Sequence, residues 1–431
     1  MRLVPSLVAA LWLASPAVAG QDQPLQAERR ALELLAAHAL DARTSTAEFV
    51  ASSKALGTPS VLALLEPLGC RAVWWCARVP LVPLRPESVE AIHAVFAGLG
   101  IAKLRPHLQG SLRGSPTKAE VLAVFEVLGR IGSVRDLVLF EEASRSPASR
   151  DLDPGILRGL DEALARLIAR DPSGITHARS YLLSAPPHFV CALARAIASS
   201  GAPEAFEALA SPIGFDDALD RMLLPCLVLA SGRPAEGVDE SLLDILRAHA
   251  QSSDAMLARA AVAAAGTFED SASVPILVPL LESEDLGLRE AAHTALRRIT
   301  GLGFPCQSAR WVAWYEVEEL WVRTQSESVT SRLGSRRPAD VVRALQEIAT
   351  HPLERHALAE RVAEVLQHHD PQVRRLACSV LGRLASVRSA AALENVLGDA
   401  DPRVAEEARA ALRSIAQSRS FDPAALSAAG G

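Results

Sequence analysis

What is scarce in this sequence narrows its class first. Aromatic residues make up 4% of 431 positions, and Lys occurs only at Lys54, Lys103 and Lys118. A β-sandwich packed around large rings is therefore not expected. The 49% hydrophobic content, drawn mainly from Ala, Leu and Val, suits thin, closely stacked helices instead. The basic residues, nearly all Arg, form no run, and the formal charge is −6, so the electrostatic footprint of a nucleic-acid binder is missing. Also missing are G-x-G-x-x-G, a P-loop, H-E-x-x-H, G-x-S-x-G and C-x-x-C, which sets aside most recognisable enzyme classes. His351, His356, His368, His369 and Asp370 are the densest set of metal-ligand types. On a helix from 354 to 369, rising about 1.5 Å per residue, the two ends of that set would stand roughly 20 Å apart, too far for one coordination sphere. No catalytic residue, cofactor or metal is assigned.

The first twenty residues, MRLVPSLVAALWLASPAVAG, combine Arg2, an apolar core through Leu13 and Ala17-Val18-Ala19 as a small-residue cleavage site. The apolar run is shorter than the roughly 18 residues a membrane span needs, and Pro16 interrupts it. Residues 1–19 therefore read as a secretory signal peptide cleaved after Ala19, leaving a secreted or periplasmic chain with no membrane span. Of the six Cys, Cys70 and Cys76 flank a short loop and are expected to form a disulfide in an oxidising compartment, whereas Cys191, Cys226 and Cys378 sit in apolar helical patterns as core thiols.

An internal repeat organises the rest. Align Asp254, Asp285, Asp370 and Asp401: Leu257, Leu288, Val373 and Val404 follow three later, Ala261, Ala292, Ala377 and Ala408 seven later, and Ala265, Leu296, Leu381 and Leu412 eleven later. That is an i, i+4, i+8 stripe along one helix face. Both neighbouring Asp pairs are 31 residues apart, room for two short helices and two turns. Asp370-Pro371 and Asp401-Pro402 place a carboxylate at the N-cap and Pro at the first helical position. Val274, Leu277, Leu280 and Leu281 match Ala390, Leu393, Val396 and Leu397 as the stripe of a second helix. An earlier copy, Leu128 to Arg135, nearly duplicates Leu381 to Arg388 and follows a capping box, Thr117 to Glu120. Degenerate hairpins are expected near 154–183, 188–210 and 216–249.

The Asp-x-x-Val/Leu-Arg opening, the Ala seven after Asp and the Leu-Gly end of the first helix resemble the short bacterial HEAT repeats of the phycobilin-lyase type. The resemblance implies an all-α fold, an α-solenoid in which HEAT-like helical hairpins wind into a right-handed superhelix, and a habit of binding. It implies no lyase activity, because such repeats are a scaffold to which function is added separately. Arg289 and Arg374 resemble the positions that form an Asp–Arg ladder between stacked units, a ladder expected to break where Arg259 is shifted by one and Ala405 replaces Arg.

The pattern fails after Arg298. There Trp311, Trp314, Glu318 and Trp321, with Tyr315 beside them, lie along one face of a Trp-rich insertion. The stripe reads either as filler for an irregular core or as an exposed aromatic anchor for a partner. The Thr-Gly, Phe, Trp-x-x-Trp pattern resembles an insertion in exported HEAT-repeat proteins of planctomycete-like bacteria. Residues 323–339, polar and rich in Ser and Arg, read as a flexible loop or hinge. Gly69 to Pro86, with Trp74, Trp75 and three Pro, reads as a stapled N-terminal cap.

The expected organisation is a signal peptide (1–19), an N-terminal helical cap region (20–110), HEAT-like repeats (111–300), the Trp-rich insertion with its polar loop (301–339), C-terminal repeats (340–417) and a flexible tail (418–431). In stacks of this family the second helices line the concave side, and here they carry Glu204, Glu207, Asp239, Glu240, Asp244 and Glu282. The expected function is a non-catalytic scaffold outside the cytoplasm that binds a protein partner through a basic segment. An enzyme subunit of the lyase-like kind and a structural envelope component are the alternatives.

Overall fold

The computed structural model describes residues 30, 34–35, 45–55, 86–113, 116–150, 152–232 and 237–420. The signal peptide, the Cys70–Cys76 pair with Trp74 and Trp75, and the tail beyond Ser420 lie outside the described residues. Among the described residues every regular element is helical. They fall into two compact units, Met1–Arg233 and Pro234–Gly431.

In the first unit, α1 (Thr46–Ala55) packs on α2 (Pro86–Leu99), and α3 (Ile101–Arg113) leads into the repeats. These are α4 (Lys118–Ile131) with α5 (Leu137–Arg145), α6 (Pro154–Arg170) with α7 (Ile175–Leu182), α8 (Pro187–Ser199) with α9 (Ala205–Ala210), and then α10 (Asp217–Leu227). The first helices, α4, α6, α8 and α10, stack in that order. The second unit begins with α11 (Glu240–His249), α12 (Ala255–Thr267), α13 (Val274–Leu277) and α14 (Leu286–Thr300). The insertion supplies α15 (Ser308–Thr324) and α16 (Ser326–Ser331). After it come α17 (Pro338–Ile348), α18 (Arg355–Glu364), α19 (Pro371–Leu384), α20 (Ala390–Asn395) and α21 (Pro402–Ser420), with α12 against α14 and α19 against α21. This is the expected all-α, solenoid-type stacking of helical hairpins.

Caps and small residues explain the stacking. Asp153, Asp216, Asp254, Asp285 and Asp370 each accept hydrogen bonds from the first free backbone amides of their helices, and Thr117 with Glu120 closes the capping box of α4. The aligned Ala261, Ala292, Ala377 and Ala408 are fully buried. A second small-residue contact recurs with them. Twelve after the caps Thr117, Asp254 and Asp370 stand Gly129, Gly266 and Gly382, and ten after the next caps, Asp153, Asp285 and Asp401, stand Ala163, Ala295 and Ala411. A Cβ on those glycines would lie 2.8, 2.7 and 3.0 Å from the Cα of the facing alanine, so neighbouring helices pass at a separation that Gly alone permits without displacement.

The turn between the two helices of a hairpin is tied by polar groups in a repeating way. Ser133 donates its N–H and O–H to Asp136, Ser273 donates to Asp270, and Ser389 donates to the carbonyl of Ser386. The helix before each hairpin contributes a partner: Arg105 to Asp136, Arg247 to Asp270 and His356 to Ser386. These buried polar groups are thus satisfied across the repeat boundary.

Several expectations are corrected. Residues 323–339 are no loop or hinge: they finish α15, form α16 and a 3₁₀ turn Arg332–Gly334, and enter α17. Val329 and Leu333 anchor them in the core, while Ser326 and Thr330 satisfy their hydroxyls on carbonyls four residues back, which lets a Ser-rich sequence stay helical. The helix expected over 354–369 ends at Glu364 and gives way to a 3₁₀ turn, Val365–Gln367. Nor does Arg259 break the ladder, since its guanidinium lies 3.5 Å from Asp285. Arg374 pairs with Asp399 at 2.7 Å, whereas Arg289 donates to the carbonyl of Ser283.

Candidate functional site

The insertion is built around two tryptophans. Trp311 is fully buried, donates its indole N–H to the carbonyl of Pro305 at 3.0 Å, and meets Phe304 and Trp314 edge to face. Trp321 is 4% exposed, stacks on His351 at 3.9 Å and donates to Glu347. Between them Glu318, 3% exposed, accepts from His351 at 3.0 Å and from the Leu353 amide. Burial pushes the Glu318 carboxyl up, against the opposing pull of His351. Trp311 belongs to the core cluster that runs from Ala250 to Leu353, and Trp321 opens a second cluster that runs to Ile415. Trp314 and Tyr315 are half-buried against the first of these. The expected set Trp311, Trp314, Tyr315 and Trp321 is therefore withdrawn as an exposed anchor: the rings face inward because they fill the gap where the repeat loses its regular second helix.

The opposite face of α15 carries apolar residues of its own, and it is open. Val312, Val317 and Leu320 are 43%, 61% and 54% exposed, with Ala309 and Ala313 exposed beside them. At about 100° per residue, Ala309, Ala313, Val317 and Leu320 share one side, with Glu316 and Glu319 exposed along it. Met256 and Leu286, also exposed, each follow the cap of their helix, and scattered apolar residues of this kind are an ordinary surface pattern.

Behind the insertion lies a polar junction. Arg355, 4% exposed, donates to the carbonyl of Arg298 and pairs with Glu269, both at 2.7 Å. His356 places one ring nitrogen on Glu269 and the other, Nδ1, 2.8 Å from Ser386 Oγ. A Ser, a His and a carboxylate in hydrogen-bond sequence are the parts of a nucleophile relay. Ser386 is fully buried, however, so no substrate carbonyl reaches its oxygen, and the trio works as a lock between hairpins. His351 and His356 thus serve different surroundings, and His368 accepts from the Asp370 amide. Among the described residues no three His, Cys, Asp or Glu converge on a metal position. Burial pushes the Cys226 thiol up to about 11 and the Cys378 thiol up to about 12.

Residues 327–413 match the family model for HEAT repeats. No curated protein matches the chain. Solved structures that resemble it include an engineered protein (17% identity, covering 95% of this chain and 98% of that one, TM-score 0.34) and human deoxyhypusine hydroxylase in complex with glycerol (16%, 69% and 97%, 0.24). A third is the karyopherin Kap121p bound to the SUMO protease Ulp1p (12%, 95% and 47%, 0.34). Likeness at this level speaks to neither partner nor activity.

In the HEAT-repeat frame the expected acidic residues divide. Glu204 and Glu207 are exposed in the first unit, while Asp239, Glu240, Asp244 and Glu282 are exposed in the second. Asp239 caps α11, Glu240 and Asp244 share Arg247 at 2.6 and 2.8 Å, and Glu282 takes a hydrogen bond from Ser308. Arg247 also holds the buried Asp270, so it offsets only part of the negative charge on α11. Sequence reasoning missed the outer face of α15, although its Ala309, Ala313, Val317 and Leu320 spacing was there to find. Among the described residues no helix is long and apolar enough to cross a membrane.

Proposed function

We propose that this HEAT-repeat chain is a non-catalytic scaffold that acts outside the cytoplasm and docks a protein partner on the outer face of α15. One observation supports the reading above others. A single inserted helix carries apolar residues on both sides, and the outer set, Val312, Val317 and Leu320, has no covering element among the described residues. Glu316 lies within that set, with Glu319 and Arg323 beside it, so the face mixes apolar residues with charges of both signs, and the fitting partner is an amphipathic segment docking as a helix against a helix. In the Ser386, His356 and Glu269 trio the hydroxyl that would attack is fully buried, which weighs against the enzyme-subunit alternative.

The test is affinity capture from the exported fraction of the native cell with the mature chain and with a Val317→Glu, Leu320→Glu variant. A defined partner retained by the first and lost by the second supports the proposal. Identical captured material from both removes α15 as the docking surface.

A further inference from the structure

We propose that a cleft in the unit Met1–Arg233 binds an oxyanion, the carboxylate or phosphate of a small ligand or the carboxylates of an acidic peptide. This goes beyond the docking surface on α15 and uses different residues. The cleft encloses about 570 Å³ and is lined by Arg105, Ser133, Val134, Arg135, Asp171, Gly174 and His177.

Two guanidinium groups give it its character. Arg105, on α3, sets its Nε 2.6 Å from Oδ1 of the fully buried Asp136, whose Oδ2 is taken by the amide and hydroxyl of Ser133. Asp136 is thereby saturated from beneath. The Nη groups of Arg105 have no partner among the described residues, and the side chain is 40% exposed. Arg135 is exposed and likewise makes no hydrogen bond or ion pair among the described residues. His177 rests edge-on against Tyr181, and its ring nitrogens have no partner there. One acid faces this set, Asp171, which accepts from Ser173. Asp136 offsets the charge of Arg105 and Asp171 faces the rest, so what the cleft offers an anion is unused donors, the Nη groups of Arg105 and the guanidinium of Arg135, and guanidinium donors are what a carboxylate or phosphate oxygen takes best.

The near-duplicate turn of the second unit shows that an unpaired guanidinium at this position is not inherent to the repeat. There Arg388, the counterpart of Arg135, pairs with Glu360 at 2.9 Å. Among the described residues no acid plays that part for Arg135, and the arginine against the first turn, Arg105, is matched by the buried Asp136 and leaves Arg135 unpaired.

Titration calorimetry on the full chain at low ionic strength, with inorganic phosphate in one arm and hexaglutamate in the other, tests the assignment. Binding is expected in at least one arm. A phosphate-only response identifies a small-anion site, and a hexaglutamate-only response identifies an acidic-peptide site. Arg135→Ala removes an unpartnered side chain, and Arg135→Gln removes its charge while keeping its length. Each is expected to weaken binding about tenfold, the size of one charge-assisted contact, with an unchanged melting temperature. Absence of binding in both arms, or wild-type affinity in both variants, overturns the proposal. Neither variant touches α15, so this result stands apart from the partner-capture result.

Discussion

Leu128 to Arg135 and Leu381 to Arg388 differ at two positions, Ile131 against Leu384 and Gly132 against Ala385. Both end a helix whose last amide returns to the leucine that opens the segment, at 2.8 and 3.0 Å, and both run into a 3₁₀ turn. Their surroundings differ. The first turn closes over a buried carboxylate, Asp136, held by an arginine; the second closes over serines, Ser386 and Ser389, held by a histidine. The duplicated octapeptide therefore fixes the path of the chain. Its electrostatics come from residues some thirty positions upstream, such as Arg105, which is 31 residues from Asp136.

The comparison is most easily broken at the buried acid. Asp136→Ala should cost about 2–3 kcal/mol, because the Ser133 donors and the partly exposed Arg105 guanidinium lose a charged acceptor. Ser389→Ala, at the corresponding place, should cost about 1 kcal/mol, one neutral hydrogen bond. Urea denaturation of the two variants reads the gap directly, and equal losses would show that charge makes no difference to the turn. The next effect concerns helix spacing. Gly129→Ala and Gly382→Ala should each destabilise by about 1–3 kcal/mol through overpacking. Gly129 should cost more, since its added methyl would lie 2.8 Å from the Ala163 Cα, against 3.0 Å from Ala411.

A smaller difference separates Gly132 and Ala385. Gly132 is extended at φ −68° and needs its missing side chain, because a Cβ would fall 2.5 Å from the Leu128 carbonyl. Ala385 instead adopts the left-handed region at φ 51°. Ala385→Gly should therefore stabilise by about 0.5–1 kcal/mol, visible as a raised midpoint, while Gly132→Ala lowers it. The least effect is expected from Glu360→Gln. Its pair with Arg388 is largely exposed and worth at most about 1 kcal/mol. Freed of that acid, Arg388 should give the second turn a weak phosphate response in calorimetry that the wild-type turn lacks.

The repeat was legible because burial leaves a period: Ala261, Ala292, Ala377 and Ala408 lie at one interval from a capping Asp, and a helix buries one stripe. What the period does not encode was missed. Gly129, Gly266 and Gly382 were visible as letters, but their partners Ala163, Ala295 and Ala411 lie in the next unit at another register. The segment around Ser326 was misread because polar composition outweighed Val329 and Leu333, two anchors that suffice when hydroxyls bond back to the helix. On α15 the tryptophans drew attention from the quieter apolar set on the other side. The Arg105–Asp136 pair and the Glu269, Arg355 and His356 junction have no local signature, since their members meet only once the hairpins stack.

One helix with a tryptophan in each of two adjoining cores changes how the second unit comes apart. A helical-repeat array commonly melts piecemeal, each hairpin lost at a free energy set by itself and its neighbour. Fraying that starts at α21 can pass through α19 and α17 in that manner. It stops being piecemeal at α15, because releasing Trp321 from the later core tilts the rod that also holds Trp311 in the earlier one. The Glu269 to Arg355 pair, closed over the base of the insertion, fastens the same two bodies a second time. Denaturation of Pro234–Gly431 should thus proceed as one concerted step across the insertion, with amide exchange at α12 and α19 governed by a common opening event.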